Sequence, residues 1–382
     1  SFKSDSDTEV LIKAYHKWGS NCLEKLNGMF AFAIFNETTG DLFAARDRLG
    51  IKPFYYYNNQ NELAFASEIK SILECKNYKK EPDFNALLTP VHFQITPNTG
   101  FKSINKLPAG TYITFKSGKL EIKKYWDIQP SIENISESQA FEELDYLLND
   151  SIRLQMISDV PVGSLLSGGL DSSIISVLMQ KKISSKLNTF TIKFKKEDLR
   201  KQGNVDDSYY AKILADKFGF SHKEILIEPE IVDLLPKMIW HLDEPIADPS
   251  AINTYLISKA ARESGIKVLL SGMGADEVFS GYRSHLACLK AEHYRKLPGI
   301  FRNGLENMAK HIPESSSTRN FKYIRWAKQF LSVASLDRID RAIAIGNTGL
   351  TGDSFNEYFV NNKSYYDSIY YKRIHELYSD YP

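Results

Sequence analysis

What this chain has little of narrows it first. Cysteine is scarce: Cys22, Cys75 and Cys288 are odd in number and far apart, which excludes a disulfide framework and points to a reducing compartment. None of them has metal-ligand spacing, and the eight histidines include no HExxH or paired HxH. His16, His222, His241 and His285 therefore read as ordinary structural or surface residues. Charge of one sign is also missing. With 48 basic against 47 acidic residues, no general field exists to hold nucleic acid or an anionic membrane surface. The densest charged cluster, Lys193 to Lys201, mixes both signs and reads as a solvated loop. No apolar run reaches the ~18 residues of a membrane span, and no charged-then-apolar leader opens the chain. A cytoplasmic protein is expected.

What is present is enough hydrophobic sequence, 43% of 382 residues, for more than one core. Residues 1 to about 128 read as strands with one early helix from Thr8 to Trp18, capped by Ser6 or Asp7. The runs Met29 to Phe35, Gly40 to Ala45, Pro53 to Tyr57 and Glu62 to Ala66 are short and apolar, and turn residues separate them. Pro108 to Phe115, then Ser117-Gly118 and Leu120 to Tyr125, predict a hairpin. A polar linker at 129–137 follows. Beyond it the period changes to strands alternating with helices, the pattern of a parallel sheet with crossovers. Strands are expected at Val160 to Leu166, Asn188 to Phe194, His222 to Ile227 and Lys267 to Leu270. Helices are expected at Ser172 to Lys181, Asp206 to Phe218 (stopped by Gly219) and Ala251 to Glu263.

Two glycine-rich loops in this half carry chemistry, and ligands of parallel sheets bind at strand carboxyl ends. The first, Ser167-Gly-Gly-Leu-Asp-Ser-Ser173, follows a strand and enters a helix. Backbone amides at Gly168 and Gly169, the positive helix end, and the hydroxyls of Ser167, Ser172 and Ser173 suit an anion. The lysine of a Walker loop is absent, and Asp171 stands in the loop instead. A carboxylate beside a polyphosphate calls for a bridging Mg²⁺, so a magnesium nucleotide is implied. The second loop, Ser271 to Tyr282, contributes Gly272, Gly274, Asp276 and Glu277. Two such loops fit one metal-nucleotide site better than two unrelated turns.

These motifs have a family likeness. Ser167 to Ser173 resembles the pyrophosphate loop of ATP-pyrophosphatases. Ser158-Asp-Val-Pro-Val-Gly163, Leu242-Asp-Glu-Pro-Ile-Ala-Asp-Pro-Ser-Ala251 and the second loop resemble glutamine-hydrolysing asparagine synthetases. In the first half, Ser6-Asp-Thr-Glu-Val10, Leu26-Asn-Gly-Met-Phe-Ala-Phe-Ala33, Ala45-Arg-Asp-Arg-Leu-Gly-Ile-Lys-Pro53 and Phe65-Ala-Ser-Glu-Ile-Lys70 resemble the later part of that family's class II glutaminase domain. The resemblance implies an α/β architecture. Residues 1–128 would be part of an N-terminal-nucleophile-type αββα glutaminase, and 138–382 a parallel-sheet, Rossmann-like ATP-pyrophosphatase synthetase domain, incomplete at its C-terminus. The implied reaction is ATP-dependent amidation of a carboxylate, aspartate to asparagine, through an acyl-AMP, with ammonia from glutamine and with AMP and pyrophosphate as products.

Site residues follow from the same resemblance. Ser167, Gly168, Gly169, Asp171, Ser172 and Ser173 would hold pyrophosphate, with Asp171 and Asp276 as Mg²⁺ ligands and Asp171, Asp276 and Glu277 as the catalytic acids. The backbones of Leu166 and Ile192 would meet adenosine, Ser271 and Gly272 would border the nucleotide, and Asp7 would pair with the α-amino group of glutamine. The implied partners are glutamine and aspartate or another carboxylate, with a homodimer as the family's option and neither nucleic acid nor membrane. An ammonia tunnel is implied as well.

Three departures qualify the likeness. Because the chain enters the family pattern in mid-domain, it reads as truncated at both ends. The nucleophilic cysteine is missing, Cys22 cannot replace it, and these residues alone are not expected to hydrolyse glutamine. Met273 stands where many relatives carry Asp or Glu, and a thioether cannot take a proton. A C-terminal Lys-bearing segment is expected beyond Pro382. Met273 and the Lys193 to Gln202 insertion motivate a second reading, amidation of a sugar uronate in surface-polysaccharide synthesis. A third is an inactive homologue with a binding role.

Overall fold

The computed structural model describes residues 2–59, 62–87, 96–129, 131, 133–195, 206–227, 229–244, 248, 250–311, 321–338 and 340–341. The mixed-charge cluster and insertion after Lys195, and the C-terminal stretch after Arg341, lie outside these residues. The chain divides into two compact units, Ser1–Ile135 with Pro236–Asp248, and Ser136–Leu235 with Pro249–Pro382. Pro236–Asp248 thus groups with the first unit, although a division at the 129–137 linker would put it in the second.

The first unit is layered because its strands bury both faces. Strand β1 (Ala31–Phe35) pairs antiparallel with β2 (Leu42–Arg46). The second sheet is built on β3 (Tyr55–Asn58), with β4 (Leu63–Ala66) and β5 (Ile104–Lys106) antiparallel on either side. The expected hairpin is β6 (Thr111–Lys116) with β7 (Lys119–Lys124), and it turns at Ser117 and Gly118, both at positive φ. The two sheets run in the orders β1-β2-β6-β7 and β4-β3-β5. Alternation along β2 sets the layers. Phe43 and Ala45 pack with Ala14 and Leu23 of the early helix region, whereas Ala44 packs with Tyr56, Leu107 and Ile113 toward the second sheet. Tyr57 points the other way, onto Ile69 and Ile72 of the short helix Ile69–Leu73. Helix, sheet, sheet, helix is the αββα order expected. The early helix spans Asp7–Trp18, and the Ser6 hydroxyl accepts from the Thr8 amide as its cap.

The second unit opens on helix Glu137–Gln155, started by a capping box between Ser136 and Gln139. Its sheet is all parallel, in the order β10-β9-β8-β11: β8 is Val162–Leu165, β9 Asn188–Lys193, β10 Ser221–Leu226 and β11 Val268–Leu270. Helices Leu170–Gln180 and Asp207–Phe218 cover one face through Leu178, Met179, Ala211 and Ala215. Helix Ser250–Glu263 covers the other, with Ala260 and Ala261 on Phe190. Asp207–Phe218 ends at Gly219 in the left-handed region, as its sequence predicts. Successive strands step outward from β8 through β9 to β10, and then β11 returns to the far side of β8. That reversal is the topological switch point of an open α/β sheet, where ligands bind beyond the strand carboxyl ends. Among the described residues, no helix is long and apolar enough to cross a membrane.

Candidate active site

Both glycine-rich loops leave from the switch point. The first follows β8 and the second follows its neighbour β11, which pairs with it from Val268 on Val162 to Leu270 on Ser164. Gly168 sits at φ +82°, and a Cβ there would stand 2.5 Å from the Asp207 carbonyl oxygen and 2.9 Å from the Ala211 nitrogen. Only glycine fits this turn against helix Asp207–Phe218. That helix was legible, but its approach to the loop was not. Asp207 itself is shifted upward by burial and then by the charge of Asp206.

The loop turns into its helix at Leu170, two residues earlier than Ser172, the expected start. Asp171 is therefore a first-turn residue, and the amides around it belong to the group a helix cannot satisfy internally. The three serine hydroxyls expected to face an anion make bonds within the loop. Ser167 Oγ and Ser172 Oγ are 2.9 Å apart, the Ser172 hydroxyl lies 3.1 Å from the Ser167 amide, and Ser173 donates to the Gly169 carbonyl at 2.6 Å. These hydroxyls brace the loop.

A second support was missed in the sequence. Ser164 on β8 and Ser176 on the helix are both fully buried and bonded at 2.8 Å, and Ser176 also donates to the Ser172 carbonyl at 2.8 Å. The pair fixes the helix to the strand directly behind the loop. Small serines in an apolar stretch look like helix surface, and no sequence signal distinguishes them. Leu166 is buried, and its amide donates to the Phe190 carbonyl at 2.9 Å, which leaves it beside β9, the strand that carries Ile192.

The second loop touches the first. A Cβ on Gly272 would lie 2.8 Å from the Ser172 nitrogen and 2.9 Å from Asp171 Cβ, so the bare glycine backbone is what allows the contact. Ser271 accepts from the Met273 amide at 3.4 Å. Asp276 and Glu277, expected in a loop, instead occupy the first turn of a short helix, Ala275–Phe279. Glu277 accepts from the Tyr282 hydroxyl at 2.7 Å. That bond lowers the Glu277 carboxyl and, with burial and the charges of Glu277, Asp276 and Asp171, pushes Tyr282 up to about 12. The Tyr282 ring meets His285 edge-on at 5.3 Å. Met273 projects into solvent, 85% exposed.

The donor chemistry suits the implied cation. Asp171 stands at the Gly272 contact and Asp276 in the short helix that follows on the same loop, and carboxylates of this kind would leave coordination positions for phosphate oxygens on a Mg²⁺ ion. Among the described residues, no cluster of three or more His, Cys, Asp or Glu forms an all-protein metal cage.

In the first unit, Asp7 is the first residue of helix Asp7–Trp18. Just beyond it, Glu9 gathers the amides of Lys3 and Ser4 and the Lys13 ammonium. Lys13 first, then Ser4 and Lys3, lower its carboxyl to about 2. Glu9 is the residue here that sequence reasoning passed over. Cys22 is buried in the core beside Leu23, as a packing residue.

The chain thus carries an αββα unit and a parallel sheet with paired glycine loops at its switch point. Comparison with known proteins agrees: the asparagine synthase family matches residues 143–381, and the glutamine amidotransferase domain matches residues 1–126. The chain belongs to the asparagine synthase family. It is 39% identical over 308 residues to a putative glutamine-hydrolysing asparagine synthetase 2 of Methanocaldococcus jannaschii, covering 78% of this chain and 58% of the relative. It is 36% identical over 318 residues to asparagine synthetase 1 of Bacillus subtilis, covering 82% and 49%. A relative from Penicillium rubens named amidase chyE is 29% identical over 319 residues, covering 78% and 46%. The chain spans about half the length of the curated relatives it matches.

Proposed function

We propose that the protein uses ATP to amidate a carboxylate, aspartate first among candidates, through an acyl-adenylate, with ammonia drawn from glutamine. The observation that carries this reading is the approach of Gly272 to Asp171 and Ser172, which makes one site of two loops. The loop at the end of β8 has no lysine for a terminal phosphate and has a carboxylate at its helix start. It suits the β- and γ-phosphates as a leaving group. The acceptor oxygen attacks the α-phosphorus, the bond to the β-phosphate breaks, and the first-turn amides with Gly168 and Gly169 take up the charge on pyrophosphate. Asp171 and Asp276 would hold Mg²⁺, which neutralises phosphate charge when bound. The backbones of Leu166 and Ile192 meet adenosine, and Ser271 and Gly272 close the nucleotide's other side. Ammonia then attacks the acyl carbon, AMP departs, and the ammonium loses a proton. Glu277, held by Tyr282, stands beside this step as an acidic wall. In the glutaminase half, Asp7 pairs with the glutamine α-amino group.

The exposed thioether of Met273 favours one other acceptor class, a sugar uronate. The three unpaired cysteines fit the reducing cytoplasm. Sedimentation of the full-length protein checks the homodimer. Exchange of labelled pyrophosphate into ATP tests the reading as a whole. Exchange that depends on aspartate supports it, exchange only with a uronic acid transfers it to the sugar substrate, and ATP binding without exchange under any acid overturns it in favour of a binding role.

A further inference from the structure

Asparagine is followed by glycine twice in this chain, at Asn27-Gly28 and at Asn303-Gly304. The pair is reactive because glycine has no Cβ to shield its amide nitrogen, so that nitrogen can reach the carbonyl of the preceding side chain. In sequence the two pairs are alike, and the structure separates them. Asn303 and Gly304 lie past the first turn of helix Gly299–His311. There the Gly304 amide belongs to the helical hydrogen-bond ladder, and the helical ψ of Asn303 turns that amide away from the Asn303 side chain. Asn27 and Gly28 lie between the 3₁₀ helix Gly19–Lys25 and strand β1, outside both. Both residues are exposed, and neither the Asn27 side chain nor the Gly28 amide makes a hydrogen bond among the described residues.

We propose that Asn27 is a site of self-modification in the first unit, deamidated by the Gly28 amide, and that Asn303 is not. As it gives up its proton, the Gly28 nitrogen attacks the side-chain carbonyl carbon of Asn27. A C–N bond forms, the bond to the side-chain nitrogen breaks, and ammonia leaves with the proton, closing a cyclic succinimide. Water then opens the ring. Opening at the side-chain carbonyl gives aspartate, and opening at the main-chain carbonyl gives isoaspartate, in which the chain runs through one more carbon.

The loop has little slack for that carbon. Leu26 and Phe30, on either side, pack with Leu23 and Phe43 in the core beside the early helix. The Leu26 amide donates to the Leu23 carbonyl at 3.3 Å, and the Phe30 carbonyl accepts from the Asp47 amide at 2.8 Å. The added atom must be taken up by Asn27, Gly28 and Met29 between these two anchors, so the isoaspartate form of the first unit unfolds more readily than the parent.

Peptide mapping by mass spectrometry of the whole chain, aged in mildly alkaline buffer, tests this. The Asn27 peptide should convert to two products of the acid's mass, aspartate and isoaspartate, at least about tenfold faster than the Asn303 peptide, whose amide must first leave its helical bond. In urea the helix is lost, and the two sites should convert at similar rates. A Cβ on Gly28 would meet nothing within 4 Å, so G28A should fold as the parent does, with an unchanged urea midpoint, and convert several-fold more slowly. The aged parent should show an earlier urea midpoint for the first unit, and aged G28A should not. An Asn27 peptide that keeps its mass overturns the proposal, as does G28A converting at the parent's rate. Equal conversion at Asn27 and Asn303 in the folded chain, or a slow Asn303 in urea, overturns the role assigned to the fold.

Discussion

Gly272 lies against Asp171: the Cβ that glycine lacks would stand 2.9 Å from the aspartate's own Cβ. Gly272→Ala therefore forces the second loop off the first, with Ser172 nitrogen and Asp171 backbone as immovable neighbours. The expected result is a loss of pyrophosphate exchange of about 100-fold, matching the few kcal/mol that misplacement at a reacting centre costs. Circular dichroism should stay unchanged, because neither loop contributes to a core cluster. Exchange equal to the parent would show that the two loops serve different sites.

Asp171→Asn keeps the shape of the side chain and removes its charge. Because the residue sits in the first helical turn, the amide is tolerated by the fold. Magnesium-dependent exchange should fall by about 100-fold or more, the loss of a charge that positions and neutralises polyphosphate. Raising Mg²⁺ should recover part of it if the carboxylate acts through the cation. A variant insensitive to Mg²⁺ yet fully active would remove Asp171 from the metal.

Much of this architecture could be read directly. The hairpin at Ser117 and Gly118 was legible because the turn residues sit between alternating strands, and the strand, loop and helix from Val162 to Gln180 because period and glycines agree. What escaped was nonlocal. Helix Ile69–Leu73 is too short to show a period, and its cap comes from Asp243, while β5 has three residues and no alternation. The bonds that Ser167, Ser172 and Ser173 make within the loop are not legible in the sequence, because a hydroxyl's direction depends on what it can bond locally. The two loops could be named as a pair from sequence, but the reason Gly272 reaches Asp171, a missing Cβ, belongs to the packing of two loops about a hundred residues apart.

The motif Arg46-Asp-Arg-Leu-Gly50 predicts a stability effect. Asp47 is 1% exposed, and its carboxylate accepts from the amides of Leu49 at 3.2 Å, Ile51 at 2.9 Å and Lys52 at 2.9 Å. Arg46 binds the carbonyls of Lys52, Leu107 and Gly50 on the other side of the same turn. Asp47→Ala leaves three amides without their acceptor and should destabilise the first unit by about 3 kcal/mol. Urea unfolding followed by hydrogen exchange should show an earlier midpoint for the first unit with the second unchanged. An unaltered midpoint would mean that water replaces the carboxylate.

His222 makes stability depend on pH in the second unit. Its Nδ1 lies 2.8 Å from the Thr189 hydroxyl on the neighbouring strand, and Nε2 is buried with no partner among the described residues. Burial, with Lys212 adding to it, holds the imidazole below its ordinary value, against the opposing charges of Glu224 and Asp216. The folded unit therefore binds a proton less readily than the unfolded chain. This contribution is intact above the ordinary imidazole value of about 6.5 and is lost as pH falls from there through the lowered folded value. The melting temperature of the second unit should decline from pH 7.5 to pH 5.5, and the decline should shrink in His222→Gln, which keeps the polar contact to Thr189 and cannot be protonated. An equal decline in that variant would assign the pH dependence to other groups.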